Sequence, residues 1–241
     1  MNRILFWQRE LDADGCLEFS DRRATHIKNV LRAEIGQRIR LGMLNGERGL
    51  GRIEANGAGG VRVRWEPAGD FPPPPRVDVL LALPRPKVLK RLWAPLASLG
   101  VGRIVLTNAA RVERQYFDTH WLQPEFFTPL LIEGLEQSGD TRLPEVRLCR
   151  QLKPFVEDEL DGLFAGSLRL LAQPGPVAIP SPPRQEGARI LMAIGPEGGW
   201  TSFELELFSA HRFQGVSLGW RTLRSDVASV ALVAWASVAL T

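Results

Sequence analysis

The run Gly195-Pro196-Glu197-Gly198-Gly199 follows an apolar stretch, 189–194, and precedes Thr201 and Glu204. Thr and Glu at this spacing form a capping box that opens a helix, so the pattern predicts strand, glycine loop, helix. A loop at the carboxyl end of a sheet strand is where open α/β sheets bind ligands. Glycines there let backbone groups approach a ligand closely. The spacing excludes two phosphate loops, since neither G-x-x-x-x-G-K-[ST] nor G-x-G-x-x-G is present. A loop with inward-facing Pro196 and Glu197 and no lysine suits a ligand without phosphates. Taken alone, the same residues also fit a tight turn of special backbone geometry.

A second loop of this kind follows, Ser217-Leu218-Gly219-Trp220-Arg221-Thr222-Leu223-Arg224-Ser225-Asp226. In a parallel sheet both loops open at the same edge, which places Arg221 and Arg224 facing one crevice. Asp226 is a carboxylate at that crevice or the cap of the last helix. Segment 227–240 is apolar all round except for Ser229 and Ser237. Such a helix is buried, either within its own chain or in a subunit interface. Trp200 and Trp220 flank the two loops as crevice walls or as packing.

The elements that must position these loops are strands and helices in alternation. Strands are predicted over 77–83, 103–106, 168–172, 189–194 and 215–218. Helices are predicted over 87–99 (kinked or frayed at Pro95 and stopped by Gly100), 124–137, 201–211 and 226–240. This alternation predicts an α/β layer with a mostly parallel sheet.

Pro72-Pro73-Pro74-Pro75 forms an extended connector. It divides the chain into a first domain, 1–71, a linker, 72–75, and a second domain, 76–241. The first domain reads as mostly β, with short strands at 37–41, 51–54 and 60–65, a tight turn at Asn45-Gly46 and one helix over 23–31 beginning near Ser20 and Asp21. Frequent turns between short strands predict a small barrel. Alternation puts Arg38, Arg40, Arg62 and Arg64 on the face opposite the apolar residues, as a solvated surface or as contacts to RNA phosphate.

The 241 residues are 44% hydrophobic and 24% charged, an ordinary globular balance. The net charge is +3. Lysine occurs only four times, so arginine supplies 26 of the 30 cations. Arginine forks suit phosphates and bases, and a GC-rich genome favours them as well. The two cysteines, Cys16 and Cys149, lie far apart, which excludes a disulfide framework. His26, His120 and His211 have no metal spacing, so no metal is expected. No apolar run is long enough to span a membrane and no secretory leader is visible, so a soluble cytoplasmic protein is expected.

These motifs resemble the SPOUT class of RNA methyltransferases, and most closely the RsmE family of 16S ribosomal RNA (uracil-N3) methyltransferases. That family carries I-G-P-E-G-G followed by L-G-x-R-[IVL]-L-R-T-E-T-A. This chain keeps Ile194 to Gly199, then reads Leu218-Gly219-Trp220-Arg221-Thr222-Leu223-Arg224-Ser225-Asp226-Val227-Ala228. Glu136-Gln137-Ser138-Gly139 with Leu143-Pro144-Glu145-Val146, and His26-Ile27-Lys28-Asn29-Val30-Leu31-Arg32, are similar to two further family segments. The likeness spans nearly the whole chain.

The resemblance implies a PUA-like β-barrel followed by a SPOUT α/β domain with a trefoil knot. It implies S-adenosylmethionine as cofactor, 16S rRNA or the small ribosomal subunit as partner, and a homodimer. It implies cofactor contacts from Leu83, Leu106, Thr107, Ile194, Gly195, Pro196, Glu197, Gly198, Gly199, Leu218, Gly219, Leu223 and Arg224. Catalytic roles fall to Arg224, which would steady the uracil oxygens, and to Glu197 or Asp226, either of which would take the N3 proton or hold Arg224. RNA contacts fall to His26, Lys28, Arg32, Arg38, Arg40, Arg142 and Arg221. The chain departs from the family at Arg224-Ser225-Asp226-Val227, where R-T-E-T is usual, and at Asp140, where Arg is usual. A SPOUT enzyme acting on another base, and an RNA-binding protein of this fold without catalysis, are the alternatives these departures leave.

Overall fold

The computed structural model describes residues 3–175 and 187–240. The chain divides into two compact units, one comprising Met1–Pro74 with Leu135–Leu143, the other Pro75–Gly134 with Pro144–Thr241. One division point falls within the proline run; two others, at Gly134/Leu135 and Leu143/Pro144, place in the first unit a segment that the sequence pattern assigns to the second domain.

The first unit holds β1 (Ile4–Phe6), β2 (Cys16–Phe19), α1 (Arg22–His26), β3 (Arg38–Met43), β4 (Arg48–Gly57) and β5 (Gly60–Asp70). They form a five-stranded sheet in the order β1-β3-β4-β5-β2. β1 pairs with β3 in parallel and the other ladders are antiparallel. β4 and β5 run well beyond the predicted spans, and bulges at Arg48/Gly49 and Ile53/Ala55 break their register. β1 and β2 were not expected; both are too short for a periodic pattern. The core is Phe6, Leu17, Phe19, Ile39, Leu41, Ile53, Val61 and Val63, joined by Ala24 and Ile27 from the helical segment.

Asp21 caps α1 by accepting from the Arg23 backbone N–H at 2.8 Å. The chain then widens into a π-type turn over Ile27–Leu31, and Arg32 ends it in the left-handed region at φ 49°. The expected single helix is therefore two successive turns of different pitch. Glu136 is buried within this unit, pairing with Arg22 at 2.9 Å, while its backbone carbonyl accepts from the Arg3 N–H at 3.1 Å.

The second unit holds β6 (Val77–Ala82), α2 (Pro86–Ser98), β7 (Val101–Thr107), β8 (Glu145–Cys149), α4 (Leu152–Pro154), α5 (Leu160–Leu163), β9 (Leu168–Ala172), β10 (Ile190–Ile194), α6 (Ser202–Ala210), β11 (Gln214–Val216) and α7 (Ser225–Ala239). α3 (Pro124–Ser138) begins here, between β7 and β8. The sheet is six-stranded, ordered β11-β9-β10-β6-β7-β8, and every ladder is parallel. β6 and β10 are buried at every position, as central parallel strands with both faces covered must be. α2 runs through Pro95, and Gly100 follows it at φ 73°.

Two ends differ from expectation for visible reasons. β11 stops at Val216 because the Ser217 hydroxyl turns the chain: it donates to the Gly175 carbonyl at 2.7 Å and accepts from the Gly219 N–H at 3.0 Å. α7 begins at Ser225 with Arg224 as its N-terminal flank and no side-chain cap. Asp226 therefore lies inside the first turn, engaged by Arg91 at 2.9 Å and Arg224 at 3.2 Å. Its expected capping role is not used. α7 is also less covered than its composition predicts, since Val227 and Val238 are 50% and 74% exposed.

Candidate active site

Three strands end side by side at the carboxyl edge of the sheet, in the order β11-β9-β10. The chain segments that follow them enclose a cavity of about 340 Å³. After β10 comes the glycine loop, where Ile194, Gly195, Pro196, Glu197, Gly198 and Gly199 all line the cavity. After β11 come Leu218, Gly219, Arg221 and Leu223. The turn after β9, Ala172 to Pro174, forms part of the wall and was missed by sequence reasoning. Its signal was present, because 168–172 read as a strand and its end had to open at the same edge.

The glycine loop is shaped by close approaches. A Cβ on Gly195 would lie 3.0 Å from Trp200 Nε1, and one on Gly198 would lie 3.0 Å from Arg111 Cδ. Gly199 sits at φ 73° and Gly219 at φ 106°, where side chains are strained. The capping box is formed: Glu204 Oε2 accepts from the Thr201 N–H at 2.7 Å. Pro196 faces inward as expected, whereas Glu197 is exposed at the rim.

Trp200 is buried, lines the cavity and packs edge-on against Phe208 at 4.8 Å. Its Nε1 donor is buried and has no hydrogen-bond partner among the described residues. Trp220 is 78% exposed and does not line the cavity; the Arg221 guanidinium lies 4.6 Å from its ring. Arg224 does not line the cavity either, and its side chain is 68% exposed beside Asp226. Burial pushes the Asp226 carboxyl up, but hydrogen bonds from Arg91 and the Val227 N–H and the charge of Arg224 outweigh it and hold the group below the usual carboxylate range.

Leu83, Leu106 and Thr107 are fully buried and do not line the cavity. They form a layer at the ends of β6 and β7, where the Leu83 N–H donates to the Thr107 carbonyl at 2.8 Å. Of the expected RNA contacts, His26, Arg38 and Arg40 converge on one cleft in the first unit. Lys28 instead donates to the Gly57 carbonyl at 2.5 Å, and Arg142 donates to the Pro72 carbonyl at 2.7 Å. Arg32 and Lys28 lie outside that cleft. Among the described residues no group of three or more His, Cys, Asp or Glu could hold a metal, and no helix is long and apolar enough to cross a membrane.

Parallel strands, glycine loop and carboxyl-edge cavity together define a class. Residues 72–237 match the family model for the RNA methyltransferase domain, and residues 19–64 match that for the RNA methyltransferase PUA domain. The chain belongs to this RNA methyltransferase family, with a PUA-like first domain and a SPOUT-type second domain. Within it, the chain is 32% identical over 249 residues to the ribosomal RNA small subunit methyltransferase E of Treponema pallidum, covering 97% of this chain and 90% of that one. The ribosomal RNA small subunit methyltransferase E 1 of Borreliella burgdorferi is 23% identical over 89% of both chains. A Legionella pneumophila protein described as a methyltransferase, solved with SAM bound, superposes with a TM-score of 0.76 at 25% identity, covering 99% of this chain and 97% of that one.

Proposed function

We propose that this protein transfers a methyl group from S-adenosylmethionine to N3 of a specific uridine in 16S ribosomal RNA. The convergence of the glycine loop and the Leu218–Leu223 segment on one cavity carries the reading. S-adenosylmethionine, when bound, supplies a methyl already activated on a sulfonium. The residues fit it. The volume is that of a small-ligand site, the close approaches at Gly195 and Gly198 favour backbone contact, and Trp200 Nε1 is a buried donor without a partner.

The backbone of Gly195, Gly198, Gly199, Leu218, Gly219 and Leu223 holds the donor. Leu83, Leu106 and Thr107 support the loops from beneath. Alignment of donor and acceptor supplies much of the rate. Removing the N3 proton leaves negative charge on the uracil ring, and Arg224 stabilises it. Glu197, at the cavity rim, accepts the proton. Asp226, held below the usual carboxylate range by Arg91, the Val227 N–H and Arg224, serves to aim Arg224. N3 lies on the pairing edge, so the uridine is unpaired or flipped out when it reacts.

The first unit binds the RNA through its arginines. A second copy of the chain covers the exposed valines of α7, and the homodimer works in the cytoplasm on the small ribosomal subunit or its RNA. The trefoil knot belongs to the same proposal. Mass spectrometry of rRNA from a deletion strain tests the reaction: loss of N3-methyluridine supports it and an unchanged peak rejects it. Loss of a different methylated base supports a SPOUT enzyme of other specificity. Calorimetry with S-adenosylmethionine that shows no binding supports a non-catalytic RNA-binding protein.

A further inference from the structure

The first unit contains a cleft of about 360 Å³ beside the parallel pair β1–β3, lined in part by Arg3, His26, Gln37, Arg38 and Arg40. Arg38 and Arg40 are two apart on β3 and share a face, with Ile39 and Leu41 buried on the other. The register Ile4↔Leu41 brings Arg3 alongside Arg40. Arg38 is answered by Glu66 at 2.8 Å. Neither Arg3 nor Arg40 has an ion-pair partner among the described residues. The Arg40 side chain has no hydrogen-bond or ion-pair partner among the described residues, and only its backbone is paired, in the β3–β4 ladder. Arg3 Nη1 donates to the Leu41 carbonyl at 2.5 Å and to the Gly49 carbonyl at 3.2 Å, while its Nε is buried without a partner among the described residues. His26 Nε2 is likewise buried and unpartnered. Burial, then the charges of Arg48 and Arg40, push the Arg3 guanidinium below its usual range, with a smaller opposing pull from Asp70.

Unsatisfied donors and uncompensated positive charge in a small cleft suit an anion with several acceptor oxygens. We propose that this cleft seats a single backbone phosphate of the RNA, with Arg40 and Arg3 on its non-bridging oxygens and His26 and Gln37 at its edge. The proposal rests on the RNA methyltransferase reading and adds the point at which the first unit fixes the strand. A phosphate contact of this kind sets register and carries no base preference.

The test uses the full chain and a fluorescein-labelled oligouridylate, followed by fluorescence anisotropy across a salt series. Arg40→Gln is expected to weaken binding about fivefold and to lower the slope of log affinity against log salt by about 0.7. Arg212→Gln removes the same charge from an exposed position of the second unit, outside the cleft, and is expected to cost about twofold or less. Probes carrying one uncharged methylphosphonate at successive positions then locate the contact. At one position the loss matches that of Arg40→Gln, and the two changes together cost no more than either alone. His26→Ala gives the same non-additivity if Arg40→Gln lowers the melting temperature. Equal losses from Arg212→Gln and Arg40→Gln, or additivity at every position, overturn the proposal in favour of diffuse attraction. If Arg40→Gln is neutral while the wild type still methylates rRNA, only the cleft falls. If the wild type binds S-adenosylmethionine and no RNA, the functional reading falls with it.

Discussion

The Arg111 guanidinium donates from Nη1 to the carbonyl of Gly198, tying the loop after β7 to the glycine loop after β10. One strand, β6, lies between β10 and β7 in the sheet order. A neighbouring bond reinforces the tie, since the Ala110 N–H donates to Glu204 Oε1 at 2.8 Å. Arg111 also covers Gly198 so closely that a Cβ there would meet its side chain. The outer wall of the cavity is thus set by a residue that does not line it.

Arg111→Ala is expected to weaken S-adenosylmethionine binding about fivefold, the loss of one partly solvated charge-assisted hydrogen bond of about 1 kcal/mol. Turnover at saturating donor is expected to hold, because Arg111 lies outside the reacting groups. Arg111→Lys keeps the charge without the fork and recovers part of the loss. Calorimetry with each variant checks this, and wild-type affinity in Arg111→Ala would remove Arg111 from the account of the loop.

Glu204 is buried and accepts three hydrogen bonds, from the Ala110 N–H, the Thr201 N–H at 2.7 Å and the Thr201 hydroxyl at 2.8 Å. Glu204→Gln replaces one acceptor oxygen with a donor that faces other donors. The expected cost is about 1–3 kcal/mol. For a chain of this length that lowers the melting temperature by about 2–4 °C per kcal/mol, readable by scanning calorimetry. The capping box makes this residue legible in sequence, but its bond to Ala110 is not, because nothing local links positions 94 residues apart.

The same division between local and distant signal runs through the molecule. β9, α6 with its box, and the glycine loop were legible, because hydrophobic runs, caps and turn residues are local. β1 and β2 were not, because three or four residues are too few for a pattern, and β8 was not, because Glu145–Leu148 is exposed or half-buried and shows no apolar face. The engagement of Asp226 by Arg91 was invisible for the same reason as the Arg111 tie. The spacing of the second loop suggested that Arg224 faces the crevice; the geometry puts it at the flank of α7, because the chain is already turning into the helix there.

Gly199→Ala tests the backbone requirement of the loop. At φ 73° an alanine is strained by about 1–2 kcal/mol. The nearest atom to its Cβ would be Arg111 Nη1 at 3.9 Å, so strain and not collision is the cost. The expected result is weaker donor binding with a melting temperature a few degrees lower. Unchanged values of both would show that the loop does not depend on this conformation.

Glu136 gives a pH dependence with an unusual sign. Burial raises its carboxyl above the usual 4.5, and Arg22 offsets only part of this because that side chain is 54% exposed. A folded-state value above the unfolded one means that the proton stabilises the fold. That contribution is full below the unfolded value and is lost as pH rises through the raised folded value. Glu136→Gln removes the titration, so its melting temperature should gain on the wild type as pH rises from about 4 to about 8. Parallel curves for the two proteins across that range would show that the pairing with Arg22 compensates burial fully.

Arg224 and Asp226 separate stabilisation of charge from proton transfer. Arg224 is expected to meet negative charge that develops only during the reaction, so Arg224→Ala should lower turnover about 100-fold or more, as loss of such a donor does elsewhere. Donor affinity should stay within about threefold, because the side chain does not line the cavity. Asp226→Asn frees one constraint on Arg224 and leaves Arg91 unpaired, so turnover should fall less, and the acid limb of the kcat/KM profile should persist. Glu197→Gln should abolish that limb if Glu197 takes the proton. The three profiles, measured on ribosomal RNA with labelled donor, assign the roles. An acid limb that vanishes in Asp226→Asn and survives in Glu197→Gln would exchange the two carboxylates.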